Sequence, residues 1–448
     1  MKLRPWRAGL AGLVAVLAAC TTGSGEVGFE TRSYRPAGRA DRIQEGGAGV
    51  PTTAAPAPRV GGLLPPSPAG QKTAGPANAP VAERVLRLGT VLPLQGSQRD
   101  FGEPILRTTR AFIDELNARG GVRGHRLELV AYNACLVCQD EALQAVRRLV
   151  EQDGVFALVN TIPMVVAFQP VIDYLVQKGV PLIQGGAENQ TSDALSPVNF
   201  ATSPPGLFYA RFVPVMVRRH AGLRRVGIVY VNVPSEANGI PLLERELARE
   251  GVSVVDKAPV EAAEDAVTNM DSIVVRMRTR GAEGVVATNP VLLIYGRLAA
   301  ARQAWNTAQW VGPAAWSRLV QTSCARTCDD LVLTDTGGLS FIDRDSSQMR
   351  EYKTVLARRY PGAELTGHTL AAWVGMQLFV EIFSQSGPDR AAFLAAANRV
   401  RNLDLGTTSP LTFTPDRHLG GSASVLLRLK NAEYVAVSGP LSYGEATP

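Results

Sequence analysis

The chain has 448 residues, 46% hydrophobic and 19% charged, with a formal net charge of +6. That length supplies two or three packing units with sizeable cores, and the balance is that of a water-soluble globular protein. Three of the positive charges, Lys2, Arg4 and Arg7, sit at the amino terminus and no dense basic stripe follows, so nucleic acid is not an expected partner.

Those cations precede a short apolar run that ends Leu17-Ala18-Ala19-Cys20. A basic start, an apolar middle and a small-residue cleavage point make an export signal over residues 1–19. The run is too short to span a bilayer. Cysteine at the cut resembles the lipobox of bacterial lipoproteins. That resemblance implies a diacylglycerol on the Cys20 thiol, a membrane partner through this lipid, and an extracytoplasmic location on the periplasmic or outer face of the cell membrane. An ordinary signal peptide with an incidental cysteine is the plainer alternative. No later segment carries about 18 uninterrupted apolar residues, so no further crossing is expected. Residues 20–83 are rich in Gly, Pro, Ala, Ser and Thr and show no sustained period, which reads as a disordered linker. About 60 such residues, at ~5–6 Å times the square root of their number, span on the order of 40–45 Å.

From residue 84 onward apolar periodicity takes over. Residues 85–91 read as a buried strand. Ile105, Thr109, Phe112 and Leu116 recur at helical spacing, and Gly120-Gly121 ends that helix. Leu127, Leu129 and Ala131 alternate as in a strand, and Ala142, Val146, Leu149 and Val150 form the next helical face. Strand 154–159, helix 168–177 and strand 180–184 follow. The pattern pauses at Ser203-Pro204-Pro205, a crossing between two lobes. It resumes with strand Arg225–Val231, helix Ile240–Arg249, strand 252–256, helix 265–278, strand 284–288 and helix 292–304. Alternation of this length predicts an α/β fold with parallel sheets covered by helices on both faces.

Beyond Cys20 the cysteines form two tight pairs, Cys135 with Cys138 and Cys324 with Cys328. In an exported chain two disulfides are expected, each stiffening a local turn. A four-cysteine zinc site and a redox-active pair are the alternatives this spacing leaves. The four histidines, His125, His220, His368 and His418, are far apart and belong to no metal-protease motif. There is no Gly-x-Ser-x-Gly elbow and no P-loop. Isolated histidines of this kind are read as surface or capping residues, with His220 favouring a helix carboxyl end. No enzyme, cofactor or metal is expected.

The opening Leu88-Gly89-Thr90-Val91-Leu92-Pro93-Leu94-Gln95-Gly96, then Phe101-Gly102, then Ile113-Asp114-Glu115-Leu116-Asn117-Ala118-Arg119-Gly120-Gly121-Val122-Arg123-Gly124, resembles the start of branched-chain amino-acid-binding proteins. These are extracytoplasmic receptors of ATP-driven importers with the type I periplasmic-binding-protein fold. The resemblance continues through 127–133, 179–183, 310–313, 338–341 and 408–413. It implies two lobes joined by three strands, with lobe one at 84–204 and 337–405 and lobe two at 205–336 and 406–448. It also implies a small-molecule ligand caught in the cleft, an ABC importer permease as partner, and a working monomer.

In amino-acid-binding members a hydroxyl-rich loop holds the substrate carboxylate. The resemblance puts Val165, Val166 and Ala167 at those positions. An alanine–threonine pair falls on Ala187 and Glu188, the acid that holds the substrate ammonium falls on Ala314, and a first-loop tyrosine falls on Phe101. A buried ammonium lacking its carboxylate loses on the order of several kcal/mol. The expected ligand is therefore less polar than a standard branched-chain amino acid, walled by Phe101 and Trp316, with Asn289 at a strand end and any basic group facing Glu188 or Glu236. Each residue also has a plainer reading. Val165 and Val166 suit a helix-start core, Glu188 and Glu236 suit solvated loops, Trp316 suits packing and Asn289 suits a turn cap. A lipoprotein sensor, or a regulator of cell-envelope enzymes, is the alternative that the same fold serves.

Overall fold

The computed structural model describes residues 84–442 except 97–98, 136–137, 162–168, 186–195, 203–211, 233, 261–262, 289, 314–324, 336–343, 422, 432 and 439–440. Strand β1 (Arg84–Leu92) is exposed at its start and buried on both faces from Leu88 onward, as a central parallel strand must be. It pairs in parallel with β2 (His125–Asn133) and β3 (Ala157–Val159). Strands β4 (Leu182–Ile183) and β5 (Asn199–Phe200) extend the sheet in the order β2-β1-β3-β4-β5. Helices α1 (Arg99–Ala118), α2 (Gln139–Glu151) and α3 (Gln169–Lys178) make the crossovers.

The end of α1 shows why the chain turns where it does. The Gly121 N–H returns to Leu116 O at 2.9 Å, with Gly121 at φ +73°. A Cβ there would lie 2.0 Å from His125 O, so only glycine lets the helix run so tightly into β2. Asn117 then stitches helix to strand, donating to Leu127 O and accepting from Leu127 N–H, both at 2.9 Å.

A second sheet follows the same logic. In chain order come β6 (Arg225–Val231), α4 (Ile240–Arg249), β7 (Ser253–Val260), α5 (Ala263–Thr279), β8 (Gly284–Ala287), α6 (Pro290–Arg302), β9 (Gln309–Pro313) and β10 (Val332–Thr334). The chain next supplies α7 (Ser347–Arg359), α8 (Gly367–Ser386) and α9 (Arg390–Ala397) to the first sheet. It closes with β11 (Ala423–Ser424), β12 (Leu426–Lys430), β13 (Glu433–Ala436) and β14 (Leu441–Ser442). The second sheet is ordered β13-β12-β10-β9-β8-β6-β7, with β12 reversed against both its neighbours and the other six strands running in one direction.

Each sheet has its own core. On one face of the first, α1, α7, α8 and α9 bury Phe112, Tyr352, Trp373, Phe379, Phe383 and Phe393. Phe156 meets three of those rings edge-on at 5.5–6.3 Å. On the other face, Val146 and Leu149 of α2 pack with Val171 and Leu175 of α3. The second sheet is covered by α5 and α6 through Met270, Val274, Met277 and Leu292. Its opposite face is covered by α4 together with the helical segment that ends at His220.

The expected second lobe included residues 406–421, but the structure places this stretch with the first sheet. Leu411 and Phe413 are fully buried in the first core, Leu411 pairs with Leu403, and Phe413 packs edge-on against Phe200 at 5.4 Å. The segment fills the open edge beside β5 before the chain leaves. The histidines are also deeper than expected. His125 and His418 are buried, and burial together with Arg219 and Arg428 pushes His220 below its ordinary pKa rather than favouring its charge.

Candidate functional site

Among the described residues the chain leaves one core and resumes in the other three times: after Thr202, between Asp335 and Arg344, and between Gly421 and Ala423. The first passage leaves from beyond β5 and the second from beyond β10. Because β4 runs parallel to β5 and β9 parallel to β10, both passages leave from the carboxyl edge of a parallel set, where open α/β sheets bind ligands. The third passage is laced to the other two. Ala201 N–H donates to His418 O at 3.1 Å and Gly420 N–H to Ala201 O at 2.9 Å. On the far side Asp335 N–H donates to Val425 O at 2.9 Å and the Ser424 hydroxyl to Asp335 O at 3.2 Å.

On the first sheet's edge a buried polar knot fixes the strand ends. Asn160, just past β3, is 2% exposed with φ +49°. Its Nδ2 donates to Thr109 Oγ1 and to Ala372 O, each at 2.9 Å, so β3, α1 and α8 converge on one amide. Gln184, just past β4, also has positive φ, +55°. Its Oε1 accepts from Thr202 N–H at 2.8 Å and from the Thr202 hydroxyl.

Helix α8 runs antiparallel to β3. Phe379 and Phe383 lie by Phe156 ahead of the strand, whereas Ala372 lies at Asn160 beyond it. The first turn of α8, capped by Thr366 and Thr369, therefore projects about 6 Å past the strand ends. It carries His368, whose ring meets Phe101 from the first turn of α1 edge-on at 6.1 Å. Burial pushes the His368 imidazole down to about 4, so at neutral pH it is an uncharged ring with one donor and one acceptor nitrogen.

On the second sheet's edge, Glu236 Oε2 accepts from Val231 N–H at 2.9 Å and from the Thr288 hydroxyl, tying the ends of β6 and β8. Thr334 closes β10 with its hydroxyl buried. Among the described residues no group of three or more His, Cys, Asp or Glu side chains could hold a metal, and no helix is long and apolar enough to cross a membrane.

A family model described as periplasmic binding protein matches residues 85–433. The chain belongs to that family. Its members are extracytoplasmic receptors that bind small molecules and work with ABC transporters. Among relatives, this binding protein is 22% identical over 353 residues to the Leu/Ile/Val-binding protein homolog 7 of Brucella suis biovar 1, covering 74% of this chain and 85% of that one. It is 27% identical over 216 residues to homolog 8 of Brucella abortus, covering 46% and 51%. The fold matches a possible leucine/isoleucine/valine-binding protein from Rhodopirellula baltica, with TM-score 0.65, 17% identity and coverage of 83% and 100%. It also matches an ABC transporter solute binding protein from R. palustris in complex with 4-hydroxybenzoate, with TM-score 0.66, 15% identity and coverage of 80% and 96%. These likenesses establish the type I periplasmic-binding-protein fold.

Of the residues the sequence points to in this binding protein, Phe101 lies in the first turn of α1 against His368 and Glu236 lies at the ends of β6 and β8. One oxygen of Glu236 already serves the strand ends. Val165, Val166, Ala187, Glu188, Asn289, Ala314, Trp316, Cys20 and Cys324 lie outside the described residues. Cys135 and Cys138 are joined between β2 and α2, with Cα atoms 5.0 Å apart, and Cys328 is also disulfide-bonded. Sequence reasoning did not single out Asn160, Gln184 or His368 for the site. His368 stood only among isolated histidines, nothing local marks Gln184 as left-handed, and asparagine marks position 160 only weakly.

Proposed function

We propose that this periplasmic binding protein is a lipid-anchored solute receptor. Held to the membrane through Cys20, it closes its two sheet units over a small ligand and presents that ligand to an ABC importer permease as a monomer. What supports this reading is a pair of separately cored sheets joined by laced passages, two of which leave from carboxyl edges. Such a joint permits hinge closure around a bound molecule. The ligand is less polar than leucine, isoleucine or valine. Supporting this are Val165, Val166 and Ala314 in place of the polar partners of an amino acid, and the uncharged Phe101–His368 pair on the first unit's rim.

A thermal-shift screen over amino acids, amides, aromatic acids, amines and short peptides tests the reading. A true ligand at 100 times its dissociation constant stabilises by about 2.7 kcal/mol, and the three branched-chain amino acids leave the midpoint where it is. Micromolar binding of any of the three overturns the ligand class. Fractionation of Cys20→Ala tests the anchor: release from membranes is expected, and unchanged partitioning overturns it.

A further inference from the structure

Gln184 is in an unusual position for its type. A left-handed backbone suits glycine, and asparagine or aspartate tolerate it through local hydrogen bonds, but a glutamine held at φ +55° gains nothing locally. Its side chain instead reaches the chain's first exit from the sheet. Oε1 accepts both donors of Thr202, the backbone N–H at 2.8 Å and the hydroxyl. Thr202 is 3% exposed and is the last described residue before the passage to the second unit. The backbone of Gln184 serves the same strand, its N–H donating to Phe200 O at 2.8 Å.

Two neighbours make this a fixed point. Helix α8 presses on Gln184 at Gly375, where a Cβ would lie 2.9 Å from Gln184 Cβ, so the residue is backed by a wall. The third passage is bonded to the adjacent residue through the Ala201 pairings with His418 and Gly420. The first and third passages are thus fastened together, and the first is fastened to the sheet, at one spot.

We propose that Gln184 is a positioning residue of the hinge, pinning the first and third passages to the first sheet so that Thr202 and Gly420 move with that unit. This rests on the closure reading above, and strain retained for a mechanical purpose is its physical signature. The test uses the full chain without ligand. Hydrogen exchange is measured at the Thr202 amide, together with the scattering radius of gyration, for wild type, Gln184→Gly and Gln184→Glu. Glycine relieves the backbone but removes the acceptor; glutamate keeps an acceptor oxygen.

Gln184→Gly should exchange roughly tenfold faster at Thr202, in keeping with the lost acceptor of its amide, and should scatter as a broader ensemble. Gln184→Glu should match wild type in both measurements. Unchanged Thr202 protection in Gln184→Gly, or equally fast exchange in Gln184→Glu, overturns the pin. Because no ligand is present, an error in ligand class leaves this test untouched. Scattering that fits one rigid shape for wild type and Gln184→Gly alike overturns the closure reading and the hinge role with it, even where Thr202 exchange shows the bond itself.

Discussion

Replacing Gly375 with alanine sets two opposed effects against each other. In an isolated helix the change is favourable by about 1 kcal/mol. In α8 the new methyl would meet Asn160 Oδ1 at 2.3 Å and Gln184 Cβ at 2.9 Å. Neither is the loose end of a long side chain. The Asn160 amide is held by two hydrogen bonds of 2.9 Å, and Gln184 Cβ is one bond from a constrained backbone. Overpacking of this kind costs about 1–3 kcal/mol, and turning the Asn160 amide away loses about 1 kcal/mol for each bond broken. Set against the propensity gain, the net effect is a destabilisation of about 2 kcal/mol. For a unit of roughly 200 residues that lowers the thermal midpoint by about 4–8 °C. Calorimetry of the single variant, of Asn160→Gly and of the double variant closes a cycle. Glycine suits the φ of +49° at position 160 and removes the obstructing oxygen, so most of the penalty should vanish in that background. A higher midpoint for Gly375→Ala in the wild-type background would refute the reasoning, because helix propensity would then have prevailed over the contact.

The burial that pushes His368 down from 6.5 to about 4 makes the folded chain bind fewer protons than the unfolded one in that interval. Its stabilising contribution is complete above pH 6.5 and is lost as pH falls through the window, at up to about 1.4 kcal/mol per pH unit. Urea midpoints of His368→Gln should therefore fall less steeply than wild type between pH 6.5 and about 5, and parallel profiles would contradict this. The Asp256 carboxylate, 6% exposed, accepts from Arg276 Nε at 2.7 Å and from Arg280. Since both guanidinium groups reach solvent, Asp256→Asn should lower stability by about 1–2 kcal/mol in denaturant titration, and no change would show the pairs to be inert. Mass spectrometry without reductant should find Cys135 linked to Cys138 and Cys324 to Cys328; free thiols or bound zinc at these positions would reverse that expectation.

The alternating architecture was legible because buried parallel strands read as unbroken apolar runs, such as Leu88 to Leu92 and Gly284 to Ala287, each set off by turn glycines. Direction and partnership were less legible. The run Leu426 to Lys430 carries no sign that it pairs antiparallel with β10. The allegiance of 406–421 depends on Leu411 and Phe413 meeting partners far away in sequence, among them Phe200. Motif resemblance points to Phe101, whereas the hydrogen bonding of Glu236 is set by Thr288, 52 positions along the chain. Positive φ at Gln184 leaves no local trace, and at Asn160 only the weak one that asparagine favours such a backbone more than most residues. The depth of His125 and His418 follows from packing, which a lone histidine in a sequence does not reveal.

The start of β1 has a practical consequence. Its exposed first residue, Arg84, lies on the rim opposite the junction, and a nine-residue strand sets the two about 30 Å apart. The final strand, β14, instead pairs with β11 beside the third passage. If the two units close as proposed, a sensor chip or reporter joined ahead of β1 should leave ligand uptake intact, whereas cargo joined behind β14 should slow it.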